Sequence, residues 1–186
     1  MEGESQDRLY AIIDQLQNMS RELPLRYQQR VPYELLSSLG QCLLNPTVFE
    51  IVQGLREIQQ VTEKHLFQQR LQLQNEHRMA KSNLIRKHKE KLQESESVYP
   101  HQVPLLTAEY QREMAALEKQ NKDDITRFDM KLILQLDQKV SDQQVMMAKA
   151  GVPGFHVTNN PTEVRVQMYL LDFILRLAPS KSSSSS

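Results

Sequence analysis

Two long segments without proline, and with Gly54 as their one glycine, constrain this chain more than anything else in it. The first runs from about Thr47 to Glu96 and the second from about Leu105 to Ala150. Proline removes a backbone donor and clashes with the preceding turn, and glycine weakens a helix by about 1 kcal/mol, so their absence over such lengths leaves helix as the economical conformation. At 1.5 Å per residue each segment would be roughly 70 Å long. Between them Ser97-Val98-Tyr99-Pro100-His101-Gln102-Val103-Pro104 cannot continue a helix. A short break between two long helices favours an antiparallel hairpin, in which facing residues have numbers that sum to about 200.

Apolar periodicity gives the register. In the first segment the stripe Leu55, Ile58, Thr62, Leu66, Gln69, Leu73, His77, Ala80, Leu84, His88 steps by 3, 4 and 4. The second carries Leu106, Tyr110, Met114, Leu117, Asn121, Ile125, Phe128, Leu132, Leu136, Lys139, Gln143 and Met147 at the same spacing. An eleven-residue period is nearly in phase with an α-helix and predicts straight or slightly right-handed winding rather than a strict heptad coil. In this register Arg78, Lys81, Arg86, Lys87, Lys89 and Lys91 lie along Glu109, Glu113, Glu118, Asp123 and Asp124, which supports the antiparallel pairing. The expected seam residues are Leu66, Leu73, Asn75, His77, Leu132 and Leu136, which are also the candidates for partner binding. Asn75 or His77 would act as a polar element that fixes register.

The remainder predicts a small helical head. Leu9, Ile12, Ile13, Leu16, Met19 and Leu23 recur at helical spacing, Pro24 and Pro32 suit helix starts, and Tyr33, Leu35, Leu36, Leu39, Leu43 and Leu44 form a third amphipathic run. Gly151 and Pro153 end the second long helix. Phe155 to Thr158 reads as extended, and Asn160-Pro161 opens a last helix whose apolar face is Val164, Met168, Leu171, Ile174 and Leu175. Phe49, Ile51, Val52, Leu171 and Ile174 are the expected head core, and Gly54 reads either as a close approach of helices there or as a tolerated defect in the helix. The fold class is therefore all-α: a long antiparallel coiled-coil hairpin over 47–150, turning near 97–104, with a head formed by helices in 1–46 and by the loop and closing helix of 151–178. The Ser-rich 179–186 is expected to be disordered.

Chemistry is harder to find. The five His residues show no zinc spacing, and no metal, cofactor or catalytic set stands out, which predicts a protein that is not an enzyme. Cys42, among Leu39, Leu43 and Leu44, reads as a small buried thiol, and a single cysteine fits a reducing compartment. The acidic, polar start Met1-Glu2-Gly3-Glu4 has no apolar run of the signal-peptide type, and Val166 to Ala178 is too short and too charged to span a membrane. An intracellular protein of nucleus or cytoplasm is expected. Net charge is +0, so attraction to nucleic acid would have to be local. Arg86, Lys87 and Lys89 are the local candidate, either as an import signal or as a contact to nucleic acid or chromatin partners. The acids opposite disfavour the second use. A helical protein partner or a second copy of the chain fits better.

Two blocks carry a family resemblance. Thr47-Val48-Phe49-Glu50-Ile51-Val52-Gln53-Gly54-Leu55, continuing through Leu71-Gln72-Leu73-Gln74-Asn75-Glu76-His77-Arg78, is one; Leu136-Asp137-Gln138-Lys139-Val140-Ser141-Asp142-Gln143-Gln144 with Ala150-Gly151-Val152 and Gly154-Phe155 is the other. They resemble the family of the DiGeorge syndrome critical region six protein and the gonadal protein, from about Glu22 to Leu177. The resemblance implies a coiled-coil protein with a distant likeness to a laminin γ chain and with roles in cell adhesion or migration during development, some members being nuclear. It implies no catalytic residues.

Overall fold

A computed structural model describes residues 1–180. The expected run Ser182 to Ser186 lies outside them. The chain is all-α: α1 (Glu2–Arg21), α2 (Leu25–Gln28), α3 (Tyr33–Cys42), α4 (Pro46–Val98), α5 (Val103–Lys149) and α6 (Pro161–Leu177), with a 3-10 turn at Pro100–Gln102 between α4 and α5. Helices α4 and α5 form the long antiparallel hairpin, and α1–α3 with α6 form the helical head. Pro46 opens α4 where its missing N–H costs nothing, and Pro104 sits in the first turn of α5 for the same reason. The chain divides into two compact units: Met1–Gln60 with the chain from Asp137 onward, and Val61–Leu136.

The first unit has one contiguous apolar core, in which Leu16, Leu36, Leu39, Leu43, Val52, Met147, Leu170, Phe173 and Ile174 are the most completely buried. Phe49, Val52 and Ile174 stand in it as expected, and Ile51 and Leu171 pack against it partly buried. In α6 the buried face is Gln167, Leu170, Phe173 and Ile174, whereas Met168, expected inside, is exposed. The helix is apolar around more than half its girth, so spacing alone could not choose among adjacent stripes. What selects this one is Gln167, whose amide reaches the core edge and donates to the His156 carbonyl at 3.0 Å.

The segment Phe155–Thr158 is irregular rather than a strand. Side-chain amides replace a strand partner. Buried Gln144 donates to the Thr158 carbonyl at 3.1 Å and accepts from its N–H at 3.2 Å. Asn160 caps α6 as its sequence position required, its side-chain oxygen accepting from the N–H groups of Thr162 and Glu163. Gly151 and Gly154 take positive φ, ending α5 and turning the chain into this segment.

Gly40, inside α3, is a packing device. A Cβ there would lie 2.8 Å from Ile13 Cγ1 of α1. At Gly54 nothing lies within 4 Å of where its Cβ would be, so no close approach requires it and, of its two readings, the tolerated defect holds. Among the described residues no single helix is long and apolar enough to cross a membrane. The pair α3 and α4 reaches the threshold only jointly, across a 97° bend.

Candidate interaction surface on the hairpin

The second unit is built from two helices alone. On α4 the half-buried or buried positions are Thr62, Leu66, Arg70, Leu73, His77, Ala80, Leu84, His88, Leu92 and Ser95. On α5 they include Leu106, Tyr110, Met114, Leu117, Asn121, Ile125, Phe128, Leu132 and Leu136, the stripe expected from spacing. The α4 stripe departs from expectation at Gln69, which is exposed; Arg70 takes its place. Ile58, in the first unit, is exposed as well. Arg70 turns inward because Asp129 of α5 receives it at two points, Nε to Oδ1 at 2.8 Å and Nη2 to Oδ2 at 3.2 Å.

Three more cross-helix contacts fix the register. His77 Nε2 lies 3.3 Å from Asp124 Oδ2, whose other oxygen accepts from Arg127 one turn later. Lys81 pairs with Glu118 at 3.2 Å. The rings of His88 and Tyr110 stack with centroids 4.0 Å apart. Each pair of numbers sums to about 200, the antiparallel register read from the turn position. The hydrogen bond from Arg70 holds the Asp129 carboxyl below its ordinary range and, reciprocally, holds Arg70 above its own.

Of the residues singled out from sequence, Leu66 is buried at 4% exposure, and Leu73, His77, Leu132 and Leu136 are half-buried along the helix contact. Asn75 is exposed, and this corrects its expected place in the seam. Two residues beyond Leu73, it is rotated by about 200° on the helix, onto the opposite face. Arg86, Lys87 and Lys89 are exposed. Lys87 and Lys91 share a small cleft, about 50 Å³, with Glu109, Glu113 and the stacked His88 and Tyr110. Ligand pockets run to several hundred Å³ and are mostly enclosed, so this cleft is charge-matched surface rather than a binding cavity.

Nothing in the described residues points to catalysis. Among the described residues no group of three or more His, Cys, Asp and Glu side chains could hold a metal ion. In the first unit Thr158, His156 and Glu163 cluster, but Thr158 donates to the Glu163 carboxylate, and His156 Nε2 approaches the same oxygen at 3.4 Å. A nucleophile needs its hydroxyl on the base; here the carboxylate sits between hydroxyl and imidazole, and the trio secures the start of α6. Cys42 is half-buried, and burial pushes its thiol up, away from reactivity.

What the second unit does offer is uncovered apolar surface. Val61, Phe67, Leu71, Met79, Ile85, Leu105, Met130, Ile133 and Leu134 are all exposed large hydrophobics. Sequence spacing missed them because the stripe template assigns every apolar residue off the seam to noise. The clustering of six of them, Val61, Phe67, Leu71, Met130, Ile133 and Leu134, at the end of this unit away from the turn was the available signal.

An all-α chain with a long antiparallel hairpin and a helical head, showing no constellation for chemistry among the described residues, defines a class: helical-hairpin proteins. The chain belongs to the DiGeorge syndrome critical region 6 (DGCR6) protein family, whose model matches residues 2–186. It is similar to Protein DGCR6 of Gallus gallus, 48% identical over 179 residues that cover 96% of this chain and 88% of that protein. It is also similar to Gonadal protein gdl of Drosophila melanogaster, 39% identical over 176 residues, covering 95% of this chain and 82% of the relative. No solved structure matches.

Proposed function

We propose that this chain is a non-enzymatic interaction or adaptor protein that presents the hairpin as a helical docking surface. The single observation that carries this reading is the set of exposed apolar side chains on a two-helix unit, Phe67, Leu71, Met130, Ile133 and Leu134 foremost. Two helices have only one mutual seam, and large hydrophobics off that seam lose nothing by staying polar unless a third helix covers them. The Leu66, Leu73, His77, Leu132 and Leu136 row would hold the two helices in register while the outward residues meet the partner.

The process is developmental, with cell adhesion or migration as the roles the family resemblance suggests; a family defined by a DiGeorge syndrome critical region protein and a relative named as a gonadal protein support that setting. The compartment is intracellular, nucleus or cytoplasm, in keeping with an unpaired Cys42. Contact with nucleic acid through Arg86, Lys87 and Lys89 has less support, since Glu109 and Glu113 share a cleft with Lys87, and the nearby Lys81 is paired with Glu118.

The test is affinity capture of the full chain with mass spectrometry, followed by reconstitution of each candidate from purified protein. A defined helical partner whose binding drops with Phe67→Ser or Leu134→Ser supports the reading. Partners that bind these variants unchanged, or binding that survives only through Arg86, Lys87 and Lys89 with a steep salt dependence, would overturn it.

A further inference from the structure

On α4, Phe67, Leu71, Gln74, Arg78, Lys81, Ile85 and Lys89 recur at steps of three and four, with Arg70 three residues after Phe67 and four before Gln74, which places them along one flank of the helix. On α5, Gln111, Ala115, Glu118, Lys122, Thr126, Asp129 and Ile133 do the same. The Arg70–Asp129 and Lys81–Glu118 bridges join the two rows, so both lie on one side of the hairpin. That side carries Phe67, Leu71 and Ile85 exposed on one helix and Ile133 exposed on the other.

The charges of this face sort by helix. The α4 row holds Arg70, Arg78, Lys81 and Lys89 and no acid; the α5 row holds Glu118 and Asp129, with Lys122 as its one cation. Stacking two such faces with α4 on α4 would set four cations against four. Stacking them about a twofold axis parallel to the helices sets α4 on α5 instead. Because facing residues sum to about 200, that arrangement brings Phe67 over Ile133, Arg70 over Asp129, Lys81 over Glu118 and Ile85 over Ala115 of the second copy. Only the level of Arg78 and Lys122 opposes like charges. Each α4 then has antiparallel neighbours on two sides, the arrangement of an up-down four-helix bundle. Two helices about 10 Å wide over the stripe from Phe67 to Lys89 offer on the order of 700 Å² per copy, close to the ~800 Å² per partner of a stable interface.

We propose that this face, centred on Phe67 and Ile133, is a self-association surface on which a second copy of the chain docks in the same direction, α4 against α5. The inference rests on the interaction reading above and names its partner. It is tested on the full chain by light scattering and sedimentation across micromolar concentrations, with Phe67→Ser and Ile85→Ser as separate variants. Both sites are exposed, and circular dichroism confirms that each variant remains folded. Direction is tested in a Cys42→Ser background by mixing Phe67→Cys chains with Ile133→Cys chains under mild oxidation. A dimer weakened about tenfold or more by either serine variant, with mixed disulfides outnumbering both like-with-like products, is the expected result. A monomer throughout, a dimer indifferent to both serine variants, or Phe67→Cys chains pairing chiefly with each other overturns it. A monomer that still binds a defined helical protein through Phe67 would remove the dimer and leave the interaction reading standing.

Discussion

Arg70 and Asp129, fifty-nine residues apart in sequence, form a two-point ion pair between α4 and α5, with oxygens at 2.8 and 3.2 Å. The pairing is planar fork to planar carboxylate, which fixes helix rotation as well as register. The residues that flank it, Leu66 and Leu73 on α4 and Leu132 on α5, supply the burial, while this bridge decides which levels meet. The His77–Asp124 and Lys81–Glu118 contacts repeat the decision along the hairpin.

If the bridge sets register, its charges should be exchangeable. Arg70→Asp and Asp129→Arg alone should each lower the melting temperature, since each sets like charges side by side. The double exchange should recover most of the loss, and the recovery should shrink in high salt because the pair is partly exposed. Additive losses in the double exchange would show that the bridge has no part in register.

Burial separates two residues that the sequence placed together. Leu66 is 4% exposed and Asn75 is exposed. Leu66→Asp leaves a charge among apolar side chains and should cost about 3 kcal/mol. Asn75→Asp should stay within about 0.5 kcal/mol of the parent. Urea titrations of both variants check the contrast.

The hairpin was legible because long helices broadcast their period: Tyr110, Phe128, Leu132 and their neighbours could be placed on one face of α5 without knowing anything else. The α4 face was readable less well, since Gln69 and Arg70 are both polar and only the cross-helix partner Asp129 selects between them. Asn75 failed for a related reason, in that a polar residue near the seam looks like a register device whichever way it points. In the head, α6 was called into existence by Asn160-Pro161, but its inward stripe depended on Gln167 finding the His156 carbonyl, a contact that no periodicity encodes. The exposed face of Phe67 and Ile133 was invisible for the opposite reason. It belongs to neither helix alone and exists only once the register has joined them.

Glu163 ties pH to the stability of the segment before α6. The hydrogen bond from Thr158, then that from His156, holds its carboxyl below the ordinary glutamate value of 4.5. A carboxyl whose folded value is depressed contributes stability above its unfolded pKa, and that contribution disappears as pH falls through the lower folded value. Wild type should therefore exceed Glu163→Gln in stability at pH 6, and the gap should close below about pH 4. Chemical denaturation of the two proteins at both pH values measures it. A gap that persists unchanged in acid would assign the role of Glu163 to shape rather than charge.

Gly40 and Gly54, both inside helices, make the sharpest contrast. Both sit in ordinary helical backbone, since neither has positive φ. Replacing either by alanine removes unfolded-chain freedom and gains helix propensity, about 0.5–1 kcal/mol. At Gly54 nothing stands near the added methyl, so Gly54→Ala should keep that gain and raise the melting temperature. At Gly40 the methyl would meet Ile13 Cγ1 at 2.8 Å, and Ile13 is itself buried at 6% exposure, so the side chain cannot swing out of the way. α1 and α3 must separate or Ile13 must leave its rotamer, at a cost of about 1–3 kcal/mol that exceeds the propensity gain. Gly40→Ala should therefore be destabilising by thermal melting, and combining it with Ile13→Ala, which removes the opposing Cγ1, should cost less than the sum of the two single changes. Equal melting temperatures for Gly40→Ala and Gly54→Ala would mean that the α1–α3 approach is looser than the Ile13 contact requires.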